Sequence, residues 1–241
     1  MIRRGEGPAG PGGRFIRFVV ETLLLVAIAV TVAALLRVYV VQAFVVPSGS
    51  MQPTIERTDR IVVSKLGDVE RGDVVVFEDP GGWLPPTEQL SERTGPVADA
   101  LEFVGILPPS DEGYLVKRLI GLPGDRVACC TPRGRVTVNG APLRERYLAN
   151  GSAPSEQRFD VVVPRGAIWV MGDNRANSGD SRPHLGDGTA FVPMNRVVGS
   201  AFAIVWPPRD VSGIGATHAF SDVPAAERAA PRKPVVRRSP G

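Results

Sequence analysis

The sequence predicts a mainly β chain: an antiparallel β domain that follows one N-terminal transmembrane helix. A long apolar run lies near the N-terminus, and beyond it many short apolar or alternating runs are separated by turn residues. The 241 residues include 27 Gly and 23 Pro, which favours short strands and tight turns over long helices. The hydrophobic share of 43% is sufficient for an ordinary core.

The apolar run 18–41 predicts a transmembrane anchor. A bilayer core of about 30 Å requires about 20 helical residues, and the run fits if Glu21 lies near one interface and Arg37 reaches the other. The preceding residues, 1–17, are basic, and we expect the first fourteen, which are rich in Gly and Pro, to be disordered. Positive charge before the anchor predicts a cytoplasmic N-terminus and an extracytoplasmic domain in the cell membrane.

Two other interpretations of this run are a cleavable signal peptide and the buried helix of a soluble protein. The uninterrupted core, Thr22 to Leu36, is of borderline length for a signal peptide, whose apolar stretch spans about 7–15 residues. However, apolar residues resume over 38–46, and no polar junction of the A-x-A kind follows them. We therefore expect an uncleaved anchor.

Residues 42–208 are expected to form the β domain. Asn139-Gly140 is a typical hairpin turn. The predicted strands are Arg60–Lys65, Asp73–Phe77, Tyr114–Ile120, Arg135–Asn139, Asp160–Val163, Ala167–Met171 and Val197–Trp206.

An insertion, 80–111, interrupts the domain, and a tail, 209–241, follows it. The insertion could contain a short helix with Val97, Leu101 and Val104 on one face. Trp83 either dips into the membrane interface or packs back onto the β core. The tail is Pro/Ala/Arg-rich, and we expect it to be disordered.

Charge and cysteine content exclude several classes of protein. The tail from 222 onward contains five Lys/Arg and two Asp/Glu, which accounts for the whole net charge of +3 and gives no reason to expect nucleic-acid binding. Cys129 and Cys130 are adjacent, which ordinary disulfide geometry disfavours, so two partly buried apolar side chains are expected; a vicinal or intermolecular disulfide is the alternative. No residue spacing indicates a metal or cofactor site.

The catalytic candidates are Ser50, Lys117 and His184. A serine hydroxyl becomes a useful nucleophile only when a base accepts its proton. His184 follows Arg-Pro in a loop and is more readily explained as a surface residue. Lys117 has apolar neighbours, and burial could lower its pKa toward neutrality, but its local sequence equally fits a solvated charge, as we expect for Arg118.

A family resemblance changes that balance. Four segments resemble, in order and after an N-terminal anchor, the conserved boxes of bacterial type I signal peptidases. The resemblance covers the anchor and most of 44–206. The four segments are Pro47-Ser-Gly-Ser-Met-Gln-Pro-Thr54, Arg71-Gly-Asp-Val-Val-Val76, Lys117-Arg-Leu-Ile-Gly-Leu-Pro-Gly-Asp125 and Gly172-Asp-Asn-Arg-Ala-Asn-Ser-Gly-Asp-Ser-Arg182. Position 176 departs from the pattern, since it is Ala where many members have Asp.

The resemblance implies a membrane-bound serine endopeptidase that removes signal peptides from secretory preproteins through an acyl-enzyme. It implies Ser50 as nucleophile and Lys117 as general base, with Ser178 holding the lysine amine. The Ser50 N–H and the Ser48 hydroxyl would form the oxyanion hole. Asp180 with Arg182 would be a supporting ion pair, and Asp173 and Arg175 would belong to the same network.

The resemblance also implies the substrate site. The family binds the preprotein as an extended strand and accepts small side chains at the first and third positions before the cut. Residues that match its shallow pockets are Phe44, Val46, Pro47, Met51, Ile55 and Val116, although core packing explains each apolar residue equally well. Two rivals remain: a cytosolic self-cleaving repressor-type protease, against which the anchor argues, and an anchored β scaffold with a vestigial site, against which the intact Ser50, Lys117 and Ser178 argue.

Overall fold

The computed structural model describes residues 11–84, 113–149, 151–215, 217–227 and 229–237. Helix α1 (Pro11–Tyr39) precedes the β domain. The strands are β1 (Val41–Val45), β2 (Arg60–Ser64), β3 (Val74–Glu78), β4 (Tyr114–Gly121), β5 (Arg126–Cys129), β6 (Thr137–Val138), β7 (Ala141–Pro142), β8 (Phe159–Val162), β9 (Ala167–Met171), β10 (Val192–Pro193), β11 (Val197–Trp206), β12 (Ser212–Gly213) and β13 (Val235–Val236).

Helix α1 is long and apolar enough to cross a membrane. Its segment Gly13–Tyr39 has a mean hydropathy of 2.6, and none of it is buried against the β domain. The exposed leucine, valine and isoleucine side chains therefore have no protein core to cover them, as expected for a helix whose solvent is lipid. The fold class predicted from the sequence, mainly antiparallel β with one apolar N-terminal helix, is confirmed.

Two antiparallel sheets form the domain. The larger sheet has eight strands in the order β1-β2-β11-β3-β4-β9-β10, with β12 beside β11. The smaller sheet has five strands in the order β13-β8-β5-β6-β7. Between β6 and β7, Asn139 and Gly140 have φ values of 50° and 82°. Two consecutive positive φ angles characterise the tight hairpin turn predicted from the Asn-Gly pair.

Strand β4 is central to the larger sheet and is buried on both faces. It pairs with β3 on one side and β9 on the other. All eight positions of such a strand would be expected to be apolar or glycine, yet it carries two adjacent cations, Lys117 and Arg118, which are 3% and 2% exposed. Successive side chains of a strand point to opposite faces, so the two cations enter different environments.

Trp83 and the cysteine pair decide between alternatives that the sequence left open. Trp83 is 8% exposed and packs edge-on against Phe77, which favours the core alternative over a membrane contact. Cys129 and Cys130 form a vicinal disulfide. The helix proposed over 97–104 lies outside the described residues.

The described part of the tail is ordered against the domain, contrary to the expectation of disorder from 209 onward. Phe220 is 8% exposed and joins the core of the smaller sheet. Farther along, β13 pairs antiparallel with β8, and the N–H of Arg165 donates to the carbonyl of Pro231. Compositional bias toward Pro, Ala and Arg did not reveal the few apolar residues that anchor this segment.

Candidate active site

The loop between β1 and β2 carries Ser50 and lies over the larger sheet. Met51 and Ile55 are completely buried and belong to the same apolar cluster as Val74 and Val76 of β3. Because β3 is the neighbour of β4, this packing places the residue before Met51 beside the centre of β4. Burial of two large side chains, worth about 1.5–3 kcal/mol each, thus fixes the loop.

Ser50 and Lys117 meet at this point. Lys117 Nζ donates a hydrogen bond to Ser50 Oγ at 2.8 Å and another to the carbonyl of Val116 at 2.9 Å. Ser50 is 6% exposed. The Ser48 hydroxyl, on an exposed residue, lies 3.1 Å from Ser50 Oγ. The structure therefore brings together three of the residues selected from the sequence.

Burial changes the chemistry of the lysine. It lowers the pKa of Lys117 from 10.5 to about 8, and the negative charge of Asp180 opposes this shift only in part. Among the described residues, Lys117 has no ion-pair partner. A neutral amine has a lone pair that can accept the serine proton, so this environment makes a lysine usable as a base near neutral pH.

The segment that follows β9 supports the nucleophile loop. Asn174 donates its backbone N–H to the carbonyl of Ser50 at 3.0 Å and its side-chain Nδ2–H to the carbonyl of Gly49 at 3.1 Å. Gly172 lies so close to the loop that a Cβ there would be 2.5 Å from the Ser50 carbonyl oxygen and 2.2 Å from Ser178 Oγ. Only glycine permits this approach.

Ser178 does not make the hydrogen bond that the resemblance implied. Its hydroxyl is buried beside Gly172 and makes no hydrogen bond within the described residues, whereas the lysine amine donates to Val116 instead. The structure thus places Ser178 in the site without forming the expected Ser178–Lys117 bond.

Buried ion pairs lie around the dyad. Asp180 and Arg182 pair as expected, with Nη2 2.7 Å from Oδ2. Burial opposes ionisation of Asp180, but Arg182 and the backbone N–H groups of Gly172 and Arg182 outweigh it, so its pKa is lowered. Asp173 pairs with Arg118, whose Nε donates at 2.8 Å.

Arg118 was expected on a solvated face, and that expectation is wrong. Its guanidinium also donates to the carbonyl of Gly72, and Asp173 accepts a further hydrogen bond from Thr54 Oγ1 at 2.5 Å. The signal that could have found this pairing is the apolar character of β4 on both sides of the cation, since a cation buried in a central strand requires a counter-ion.

The sequence reasoning missed Glu145 and Tyr147 altogether. Arg175 pairs with Glu145, and the two side chains are 1% and 3% exposed. Tyr147 donates its hydroxyl to Glu145 at 2.8 Å, and its ring lies 4.1 Å from the Arg118 guanidinium. Both residues come from a short segment after β7, which no pattern in the sequence connects to the catalytic boxes.

The six residues expected to line the substrate pockets fall into two groups. Phe44, Val46, Met51 and Ile55 are at most 2% exposed and belong to one core cluster. Pro47 is exposed and Val116 is partly buried at its edge. Core packing therefore accounts for the first four, and Pro47 and Val116 are the accessible members.

The contacts of His184 are with Trp83 and Asp187 and do not include Ser50. Its ring stacks on Trp83 with centroids 4.6 Å apart, and Nδ1 lies 2.8 Å from Asp187. No group of three or more His, Cys, Asp or Glu side chains in the described ranges is arranged to hold a metal ion.

Similarity to known proteins agrees with this geometry. The family model of signal peptidase, peptidase S26, matches residues 19–206. The chain belongs to the signal peptidase family. It is therefore a hydrolase of a family that cleaves signal peptides from preproteins, and its apolar N-terminal helix fits a membrane anchor in such an enzyme.

The match to individual relatives covers most of the chain. A probable signal peptidase I of Mycobacterium leprae is 35% identical, spanning 82% of this chain and 80% of the relative. Signal peptidase I of Mycobacterium tuberculosis is 37% identical, spanning 78% and 72%. Signal peptidase I of Bacillus amyloliquefaciens is 30% identical, spanning 77% and 84%. The range of the family match, 19–206, spans most of the predicted anchor, all four boxes and Glu145.

Proposed function

We propose that this chain cleaves signal peptides with Ser50 as nucleophile and Lys117 as general base, through a covalent acyl-enzyme. The observation that carries the proposal is the 2.8 Å contact between Lys117 Nζ and Ser50 Oγ, made by a lysine whose pKa burial lowers to about 8. At that pKa about a tenth of the lysine is neutral at pH 7, which suffices for general-base catalysis.

In the acylation step, Lys117 accepts the Ser50 proton while Oγ attacks the carbonyl carbon of the last signal-peptide residue. The negative charge that develops on the carbonyl oxygen is stabilised by the N–H of Ser50 and the hydroxyl of Ser48. The C–N bond then breaks, and the lysine ammonium returns the proton to the departing amine. The mature protein leaves with a free N-terminus, and the signal peptide remains as an ester on Ser50.

In the deacylation step, neutral Lys117 accepts a proton from water while the water oxygen attacks the ester carbonyl. Breaking the ester bond moves that proton from the lysine ammonium to Ser50 and releases the signal peptide as a carboxylic acid, which then ionises in water. The charged residues of the surrounding network hold the backbone around the dyad; they are Asp173, Arg175, Asp180 and Arg182. The Ser178 hydroxyl is buried and has no hydrogen-bond partner in the described residues. It is available to contact the Lys117 amine once substrate displaces the present contacts of that amine with Ser50 and Val116.

The membrane anchor places this chemistry at the bilayer surface. We propose that residues 1–17 are cytoplasmic, 18–41 span the cell membrane, and 42–208 lie outside it, because basic residues precede α1. β1 follows α1 directly and stands at the end of the sheet order, where an extended preprotein could pair with it. Pro47 and Val116 then lie nearest the small side chains that precede the cut.

The test is incubation of the detergent-solubilised full-length chain with a preprotein, followed by mass mapping of the products. We expect a single cut after a small residue that has another small residue two positions before it. Ser50→Ala should yield no product while unfolding at the same temperature as the wild type. Cleavage by Ser50→Ala, or a cut at unrelated positions, would refute the proposed function.

A further inference from the structure

The segment between β7 and β8 contributes a buried glutamate side chain and a partly buried tyrosine to the polar network around the dyad. Glu145 and Tyr147 are two residues apart, and the tyrosine hydroxyl donates to Glu145 Oε1 at 2.8 Å. The flanking arginines, Arg144 and Arg146, are exposed. Along this segment, Glu145 and Tyr147 therefore face the network, and Arg144 and Arg146 face solvent.

Glu145 neutralises Arg175, and Arg175 holds the backbone beside the nucleophile. Both terminal nitrogens of Arg175 contact the Glu145 carboxylate. Its Nε donates to the carbonyl of Gly172 at 2.9 Å. Gly172 is the residue packed against the Ser50 carbonyl. Without Glu145, Arg175 would be a buried cation lacking its carboxylate, and its grip on Gly172 would weaken.

Tyr147 covers the second arginine. The centre of its ring lies 4.1 Å from the Arg118 guanidinium. Arg118 in turn fixes Asp173, which accepts the hydroxyl of Thr54 in the nucleophile loop. The ring quadrupole attracts the cation, so this contact helps to hold the guanidinium plane against its carboxylate.

We propose that Glu145 and Tyr147 act together as positioning residues of the catalytic centre. Glu145 holds Arg175, which fixes Gly172 against the Ser50 carbonyl. Tyr147 holds Arg118, which fixes Asp173 and through it Thr54. The loop that carries Ser50 is thereby kept in contact with Lys117. Neither residue touches the dyad, so the effect is one of geometry. This inference rests on the proposed Ser50/Lys117 mechanism, and it predicts a loss of kcat that exceeds any loss of substrate affinity.

The experiment compares kcat, KM and thermal unfolding of the full-length protein for Glu145→Gln, Tyr147→Leu and Tyr147→Phe. A small misplacement of reacting groups costs up to about 10²-fold in rate, so we expect kcat to fall about ten- to a hundredfold in Glu145→Gln and Tyr147→Leu, with KM within twofold. Tyr147→Phe keeps the ring over Arg118 and should restore most of the rate. Arg144→Gln and Arg146→Gln are matched controls on the same segment and should leave kcat unchanged.

The outcomes separate this inference from the proposed function. If the folded wild type does not cleave preprotein, the proposed function fails and the positioning role, which rests on it, is overturned as well. If the wild type cleaves, and folded Glu145→Gln and Tyr147→Leu keep kcat within twofold, the positioning role is overturned. Should Glu145→Gln not fold, the double variant Glu145→Gln/Arg175→Met removes both charges. A folded double variant with normal kcat would also overturn the inference, and one with depressed kcat would support it.

Discussion

Lys117 and Arg118 are consecutive cations in one central strand, and the fold treats them in opposite ways. Both are almost completely buried. Arg118 receives a carboxylate from Asp173, a backbone carbonyl and an aromatic ring. Lys117 receives a hydroxyl and a carbonyl but, in the part of the chain that the structure describes, no ion-pair partner. A buried cation with its counter-ion is a structural element, whereas one without it loses its proton readily and becomes a base.

The largest expected effect is the loss of activity when Lys117, the buried cation without a counter-ion in the described residues, is replaced. Lys117→Ala and Lys117→Met should reduce preprotein cleavage to the level of Ser50→Ala, because no other group accepts the serine proton. Lys117→Arg should fail as well, since a guanidinium does not deprotonate near neutral pH. Single-turnover cleavage measures the rate. Substantial activity in Lys117→Ala would remove the lysine from the mechanism.

Replacing Arg118, the cation that has a counter-ion, should mainly lower the free energy of unfolding. Arg118→Met leaves Asp173 buried without its partner, and breaking such a pair costs about 3–5 kcal/mol. Lys117→Met should have the opposite sign, because a lysine whose pKa falls from 10.5 to about 8 carries a penalty of about 3 kcal/mol while protonated. Free energies of unfolding from urea titration at pH 7 decide between them. Equal losses in both variants would show that the two cations are not treated differently.

The oxyanion donor gives the next effect in size. Ser48 lies on the exposed side of the dyad, with its hydroxyl 3.1 Å from Ser50 Oγ. Loss of one such donor costs about 10²–10³ in rate, so Ser48→Ala should lower kcat by that factor while Ser48→Thr keeps most of it. The control is Thr58→Ala, an exposed hydroxyl in the same loop. A normal kcat in Ser48→Ala would exclude its side chain from the oxyanion hole.

The sequence predicted the parts of the fold and site that depend on local pattern. β9 and β11 begin and end at the predicted residues, and the Asn139-Gly140 turn was correctly placed. The meeting of Ser50 and Lys117 followed from a resemblance, since local sequence left the lysine open. Arg118 was misplaced because its counter-ion is 55 residues away, and hydrophobic periodicity carries no information about such pairs.

Two other outcomes have the same physical origin. The sequence left Trp83, in the insertion 80–111, between the membrane interface and the β core; it packs against Phe77 of β3 and donates its indole N–H to Thr189. The tail looked disordered by composition, yet Phe220 and a two-residue strand hold its described part to the smaller sheet. In each instance a few long-range contacts outweigh the average character of the local segment, and a single sequence does not reveal them.

The pH dependence of cleavage and of stability tests the role of Lys117. Cleavage should rise about tenfold per pH unit below 8 and level off above it, because only neutral Lys117 accepts the serine proton. Between about 8 and 10.5 the unfolded lysine binds more protons than the folded one, so its contribution to the free energy of unfolding should increase with pH over that window. A kcat profile that is flat from neutral to alkaline pH would argue against the lysine base.

The smallest expected effect concerns the other candidate base. His184 is stacked on Trp83 and contacts Asp187, so it has a structural explanation that does not involve Ser50. His184→Ala should leave kcat within twofold of the wild type and lower the free energy of unfolding by about 1 kcal/mol, the usual worth of an aromatic pair. His184→Phe should recover part of that stability, because it keeps a ring over Trp83. If His184→Ala instead lost as much activity as Ser50→Ala, the histidine would be the base, and the unpaired burial of Lys117 would need another explanation.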